Sequence, residues 1–248
     1  MITNPRIIAR IDIKGTKVVK GIKFEGQKVY GDANEFAKKY YEEGADEIIL
    51  IDTVASLYER NSLDEVISFA TKNIFIPITV DGGIKSLENG KQILRKGADK
   101  VSINSSAIKN KTIIQDLSKE LGSQSVVLSI QAKKRGNNKW EAFYLNGREP
   151  SGIDVVEWAK ESEALGAGEI MLSSVDQDGT ESGMDVDLIA KVSESVKIPI
   201  IASSGAATID EIRFILKSIN INAIAIGSSL HSGRLKISEI KDSLEINN

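Results

Sequence analysis

The sequence predicts one closed barrel of eight parallel strands wrapped by helices, a single (β/α)8 TIM barrel made of two similar half-barrels. Three observations predict it: strand-like and helix-like stretches alternate, eight such units fit within 248 residues, and half the chain repeats the other half.

The alternation comes first. Short β-branched apolar runs occupy 7–13, 47–52, 76–81, 100–104, 125–131, 169–173, 198–203 and 223–227. Between them lie stretches with a period of 3.6, such as 34–43, 63–72, 87–96, 153–165 and 209–217. Such order argues for a parallel sheet covered by helices, and eight units argue for closure into a barrel.

The repeat is the stronger signal. Ile76-Pro77-Ile78-Thr79-Val80-Asp81-Gly82-Gly83 lines up with Ile198-Pro199-Ile200-Ile201-Ala202-Ser203-Ser204-Gly205, a shift of 122 from position 76 to 198. The stretch 43–48 matches 165–170 at the same shift, and 103–106 matches 226–229 at one residue more. Strands two, three and four therefore correspond to six, seven and eight, and the half-barrels span about 1–122 and 123–248.

Composition excludes several chemistries. A net charge of −3 gives no field for gathering nucleic acid. The absence of cysteine excludes disulfides, thiolate metal sites and a cysteine nucleophile, and a single histidine excludes a multi-histidine metal site. No apolar run nears the ~18–20 residues that span a bilayer, and the N-terminal stretch is charged too soon for a signal peptide. A cytoplasmic protein with no cofactor, no bound metal and no membrane or nucleic-acid partner is expected.

Anion sites follow from the strand ends. Asp81-Gly82-Gly83 and Ser203-Ser204-Gly205 close strands three and seven, while Asn104-Ser105 and Gly227-Ser228 close strands four and eight. Glycine at such an end lets backbone N–H groups face an anion, and barrels often hold phosphate after strands seven and eight. Because the halves repeat, two such sites are expected, although glycine alone also makes tight turns.

Polar residues at strand ends read as catalytic. Asp12 ends strand one, Asp52 ends strand two, and Asp178 follows strand six. Asp176-Gln177-Asp178-Gly179 superficially resembles a calcium loop but lacks the remaining ligands. His231 reads as a satisfied hydrogen-bonding group rather than a base. The stretch 14–33, rich in glycine and lysine, reads as a loop that could close over phosphate or stand solvated, and 133–150 as a small hairpin whose aromatics pack.

The stretches 6–14, 18–21, 41–47, 97–105, 147–152, 157–159 and 178–180 resemble, along almost the whole chain, the cyclase subunit family of imidazole glycerol phosphate synthase. Among them are Val-Val-Lys-Gly, Gly-Ala-Asp-Lys-Val-Ser-Ile-Asn-Ser and Asp-Gly-Thr. The resemblance implies a heterodimer with a glutaminase at the N-terminal face of the barrel. Ammonia would cross the barrel to a bis-phosphorylated small-molecule substrate. It implies a charged ammonia gate of Arg6, Glu47, Lys100 and Glu169, where alternating charges could equally form a structural salt-bridge ring. The implied lid lysine is Lys20, and the substrate or phosphate contacts fall on Asp52, Gly82, Gly83, Asn104, Ser105, Asp178, Gly179, Thr180, Ser204, Gly205, Gly227 and Ser228.

The family's chemistry implies two aspartates as general acid and base, one at Asp12 and its mate after strand five. Here the mate is Gln131. An amide has no usable protonation change, and losing a positioned general base costs about 10²–10⁴-fold in rate. Arg10 and Asp81 are also unusual charges for the family; an unpaired interior charge is costly, so the two are expected to form an ion pair. Asp12 is then the one proton carrier left. Three readings stand: a relative with impaired cyclase chemistry that supplies ammonia to a sugar amidotransfer pathway, a working cyclase of histidine biosynthesis, and a silent barrel that activates its glutaminase.

Overall fold

A strand buried on both faces carries apolar residues continuously, and the chain builds its barrel from such runs. The computed structural model describes residues 5–55 and 63–245, so the first four residues of the N-terminal stretch lie outside the described residues. Strand β1 (Arg6–Lys14) runs into an antiparallel hairpin of β2 (Lys17–Ile22) and β3 (Glu25–Asp32). Three strands follow: β4 (Glu47–Asp52), β5 (Ile78–Asp81) and β6 (Lys100–Ile103). In the second half β7 (Val126–Gly136) runs into the hairpin of β8 (Lys139–Tyr144) and β9 (Glu149–Asp154), and β10 (Glu169–Ser174), β11 (Ile200–Ser203) and β12 (Ala223–Ile226) complete the wall. All eight wall strands pair in parallel, and β12 pairs with β1 to close the barrel.

The repeat is visible in the backbone. Gly82 and Gly83 have φ of 104° and 74°, and their counterparts Ser204 and Gly205 have 84° and 93°. Asn104 (φ −127°, ψ −79°) and Gly227 (φ −117°, ψ −86°) share one unusual conformation, each opening a short helix. Asp32 and Asp154 each cap the helix after a hairpin by accepting backbone N–H groups, at Asn34 in the first and at Val156 and Glu157 in the second.

The stretch read as a loop, 14–33, is the β2–β3 hairpin. Val18 and Val19 are both buried and Gly15, with φ 63°, makes the turn from β1, so this burial wins over the glycine and lysine content. Lys20 turns into the barrel mouth, while Lys17, Lys23 and Lys28 are exposed. The second hairpin buries Trp140 and Phe143. One apolar layer fills the space between wall and helices; a second, including Ile8, Ile49, Val127, Met171 and Ile201, fills the lumen. No helix among the described residues is long and apolar enough to cross a membrane.

Candidate active site

Wall strands end at one mouth, and their last inward residues meet there. The mouth divides into two pockets that follow the halves. The larger, about 250 Å³, is lined by Asp52, Asp81, Gly82, Gly83, Ser102, Asn104, Ser105 and Gln131 among others. The smaller, about 10 Å³, is lined by Arg10, Lys20, Asp178, Gly179, Ser203, Ser204, Gly205, Gly227 and Ser228 among others. Thr180 lines neither of these pockets; its hydroxyl donates to the Gln177 carbonyl at 2.9 Å. Asp12 sits between them, beside Lys20, Phe24 and Thr53.

Glycine is needed at three of these positions, one of them Gly179, where a Cβ would run into the Gly21 carbonyl oxygen. At Gly82 a Cβ would lie 2.7 Å from the Asp52 carbonyl oxygen, and at Gly205 2.2 Å from that of Gly183. Ser204 accepts the left-handed conformation without being glycine, and its hydroxyl donates to Asp178 at 2.9 Å.

Arg10 does not pair with Asp81. Its Nε donates to Asp12 at 2.8 Å and its Nη2 at 3.1 Å, while Nη1 reaches Asp178 and Ser203, each at 3.2 Å. The reason is lateral distance: Asp12 and Asp81 stand level, both one pleat repeat nearer the mouth than Arg10, but Asp12 is on Arg10's own strand and Asp81 is two strands away. Asp12, two residues along the same face, offers both carboxylate oxygens to the guanidinium fork. Lys20 joins the cluster at 2.6 Å from Asp12 and 2.9 Å from Asp178, so each cation touches both carboxylates. Removing one member of such a buried cluster costs about 3–5 kcal/mol, because a partner is left uncompensated. Phe24 covers both cations, 5.6 Å from the Arg10 guanidinium and 5.8 Å from the Lys20 ammonium.

The cluster sets the chemistry of Asp12. Burial pushes its carboxyl up, but the Arg10 and Lys20 charges and hydrogen bonds outweigh burial and hold it well below the usual carboxylate range. Asp12 is thus a persistent anion and a weak base. Gln131 accepts the Gly147 N–H through Oε1 at 2.7 Å, which fixes its amide to the turn over the larger pocket. Asp52 accepts the N–H groups of Val54 and Ala55 at 3.0 and 2.9 Å, and Asn104 donates to the carbonyls of Ser129 and Phe143 at 2.9 and 3.1 Å. Both hold backbone as well as line the pocket.

Asp81 is buried and accepts from Ser102 at 2.8 Å. Burial pushes its carboxyl up to about 6, offset only in part by Ser102, Ser129, the Arg10 charge and the Gly82 N–H. Ser102 and Ser129 gave no sequence signal: single serines in apolar strands mean nothing until register sets them beside a carboxylate. His231 is half satisfied. Its Nδ1 lies 2.6 Å from the Tyr40 hydroxyl, while Nε2 has no hydrogen-bond partner, and burial lowers its pKa to about 3.

At the opposite end, Arg6 bonds Glu47 at 2.6 Å and also bonds Glu169, and Lys100 bonds each of those glutamates at 2.9 Å. The four charges make a closed ring across the barrel floor. In the connection that leads into β5, at the same N-terminal end of the wall strands, Phe75 is 79% exposed and meets Tyr41 edge-on, with ring centroids 6.4 Å apart.

The histidine biosynthesis protein family matches residues 6–236. An imidazole glycerol phosphate synthase subunit HisF of Legionella pneumophila is 53% identical over 209 residues, 84% of this chain and 99% of that one. Its namesake in Lactococcus lactis subsp. lactis is 44% identical over 244 residues, 98% of this chain and 94% of that one. The chain belongs to the histidine biosynthesis protein family, among the HisF subunits. A HisF from a Nostoc species, 42% identical over 242 residues, covers 96% of the chain, so this HisF-like resemblance takes in both halves and both pockets.

Proposed function

We propose that the chain is the barrel subunit of a cytoplasmic imidazole glycerol phosphate synthase-type complex, with a glutaminase docked at the floor and a bis-phosphorylated ribulosyl substrate held at the mouth. The family supports the reaction class. Each half-barrel, about 1–122 and 123–248, supplies one phosphate site, at Gly82-Gly83 with Asn104-Ser105 and at Ser204-Gly205 with Gly227-Ser228. The ring of Arg6, Glu47, Lys100 and Glu169, with exposed Phe75 at the same end of the barrel, supports docking and ammonia entry there. Lys20, Asp178 and Gly179 close the second phosphate pocket.

Cyclisation by this chain is slow. The observation that carries this is Asp12 locked between Arg10 and Lys20 while an amide, Gln131, stands at the second acid–base position. The same observation favours a second reading, in which the ammonia serves a separate sugar amidotransferase. The test is steady-state turnover of the ribulosyl substrate with free ammonium. The expected kcat lies about 10²–10⁴-fold below that of relatives with two aspartates, and Gln131→Asp raises it. Wild-type turnover equal to theirs overturns the impaired chemistry. Ammonia delivered to a co-purified sugar amidotransferase, with no cyclisation at all, selects the second reading.

A further inference from the structure

Asp81 is a buried carboxylate in the wall of the larger pocket that neither the ion cluster nor the phosphate sites use. Among the described residues its side-chain hydrogen-bond donors are hydroxyls, Ser102 on β6 at 2.8 Å and Ser129 on β7. Ser129 and Gln131 are two residues apart on one strand and so share its inner face, about 7 Å apart along it. Asp81 therefore opens into the same cavity as Gln131, from across β6. We propose that Asp81 is the residue that carries the residual proton transfer of this site, replacing only in part the carboxylate that Gln131 lacks.

Several observations agree. The two-strand distance between Arg10 and Asp81 leaves this carboxylate without an ion pair among the described residues, so no cation fixes its charge state. Facing it are the Arg10 charge from β1, Asp52 at the end of β4, Lys85 after β5 and Lys109 on the helix after β6, while β7 contributes only uncharged Ser129 and Gln131. Desolvation outweighs these, and a carboxyl near 6 can both give and take a proton at neutral pH. Asp12, held ionised, cannot give one.

This inference rests on the cyclase reading and concerns its ammonia-condensing step. Ammonia adds to the substrate ketone to give a carbinolamine. The Asp81 carboxyl protonates the carbinolamine oxygen, the C–O bond breaks and water leaves while the nitrogen lone pair forms the C=N bond. The iminium then returns a proton to the Asp81 carboxylate, so ketone plus ammonia becomes imine plus water with Asp81 unchanged.

The test is turnover of the ribulosyl substrate by the purified chain across pH, with free ammonia held constant, alongside a titration of its ¹³C-labelled aspartate carboxyls. A wild-type inflection near 6 is expected in both. Asp81→Asn should remove both inflections and lower kcat by about 10²-fold or more with KM little changed, and adding Gln131→Asp should restore turnover. Should Asp81→Asn fail to fold, Ser102→Ala removes a donor that favours the carboxylate and should move the inflection to higher pH. An Asp81→Asn enzyme with wild-type kcat and profile, or an unmoved inflection in Ser102→Ala, overturns Asp81 alone. Substrate that binds wild type but is never turned over brings down the cyclase reading, and this inference with it.

Discussion

Arg10 and Asp81 bear opposite charges inside one barrel, yet each solves its burial alone. The guanidinium finds carboxylates at Asp12 and Asp178, while the Asp81 carboxyl settles among hydroxyls and keeps its proton to about pH 6. A carboxyl raised from 3.8 to about 6 favours the protonated fold, so its contribution is intact below pH 4 and lost as pH rises through 6. The amount is on the order of 3 kcal/mol. Asp12 acts in the opposite sense, since a carboxylate held below its usual range loses stability as pH falls. Subtracting the Asp81→Asn curve from wild type cancels Asp12. Urea denaturation across pH should show wild type losing stability between pH 4 and 6 relative to Asp81→Asn; parallel curves would mean that Asp81 titrates normally. Whether Arg10 met Asp12 or Asp81 was not legible in sequence, because the two carboxylates stand level and a residue-type argument has no access to how far a guanidinium must reach across neighbouring strands.

At the scale of elements, the wall was largely legible. β4 occupies the run 47–52, where Ile48, Ile49, Leu50 and Ile51 are apolar without a break between Glu47 at the floor and Asp52 at the mouth, as burial on both faces demands. The two hairpins differ in this respect. The one at 133–150 carries aromatics that announce a packed face, whereas in 14–33 only Val18, Val19, Phe24 and Ala33 are buried apolar side chains among lysines and glycines, too few to outweigh a loop composition. The paired turns that close β5 and β11 were legible through the repeat, and their backbone bears a direct test. Gly205→Ala must hold φ near 93° and place a methyl against the Gly183 carbonyl, so it should cost about 2 kcal/mol or more in a melt. Ser204→Gly relaxes its own backbone but deletes the hydroxyl that bonds Asp178, so it should show a much smaller change.

For the whole molecule, the two ends of the barrel can be separated experimentally. If the floor ring admits ammonia from a docked glutaminase, Arg6→Ala opens a ring in which Arg6 touches both glutamates. Glutamine-dependent turnover should fall several-fold while turnover on free ammonium is kept; an equal loss in both would place the defect in the fold. At the mouth, Arg10, Lys20, Asp12 and Asp178 already balance one another. A phosphate monoester brings up to about two negative charges into that balanced pocket. Its arrival therefore favours proton capture by the phosphate. Binding of the bis-phosphate should then draw protons from solution, and its calorimetric heat should scale with the ionisation enthalpy of the buffer. Asp178→Asn leaves a net positive pocket, and the buffer dependence should shrink.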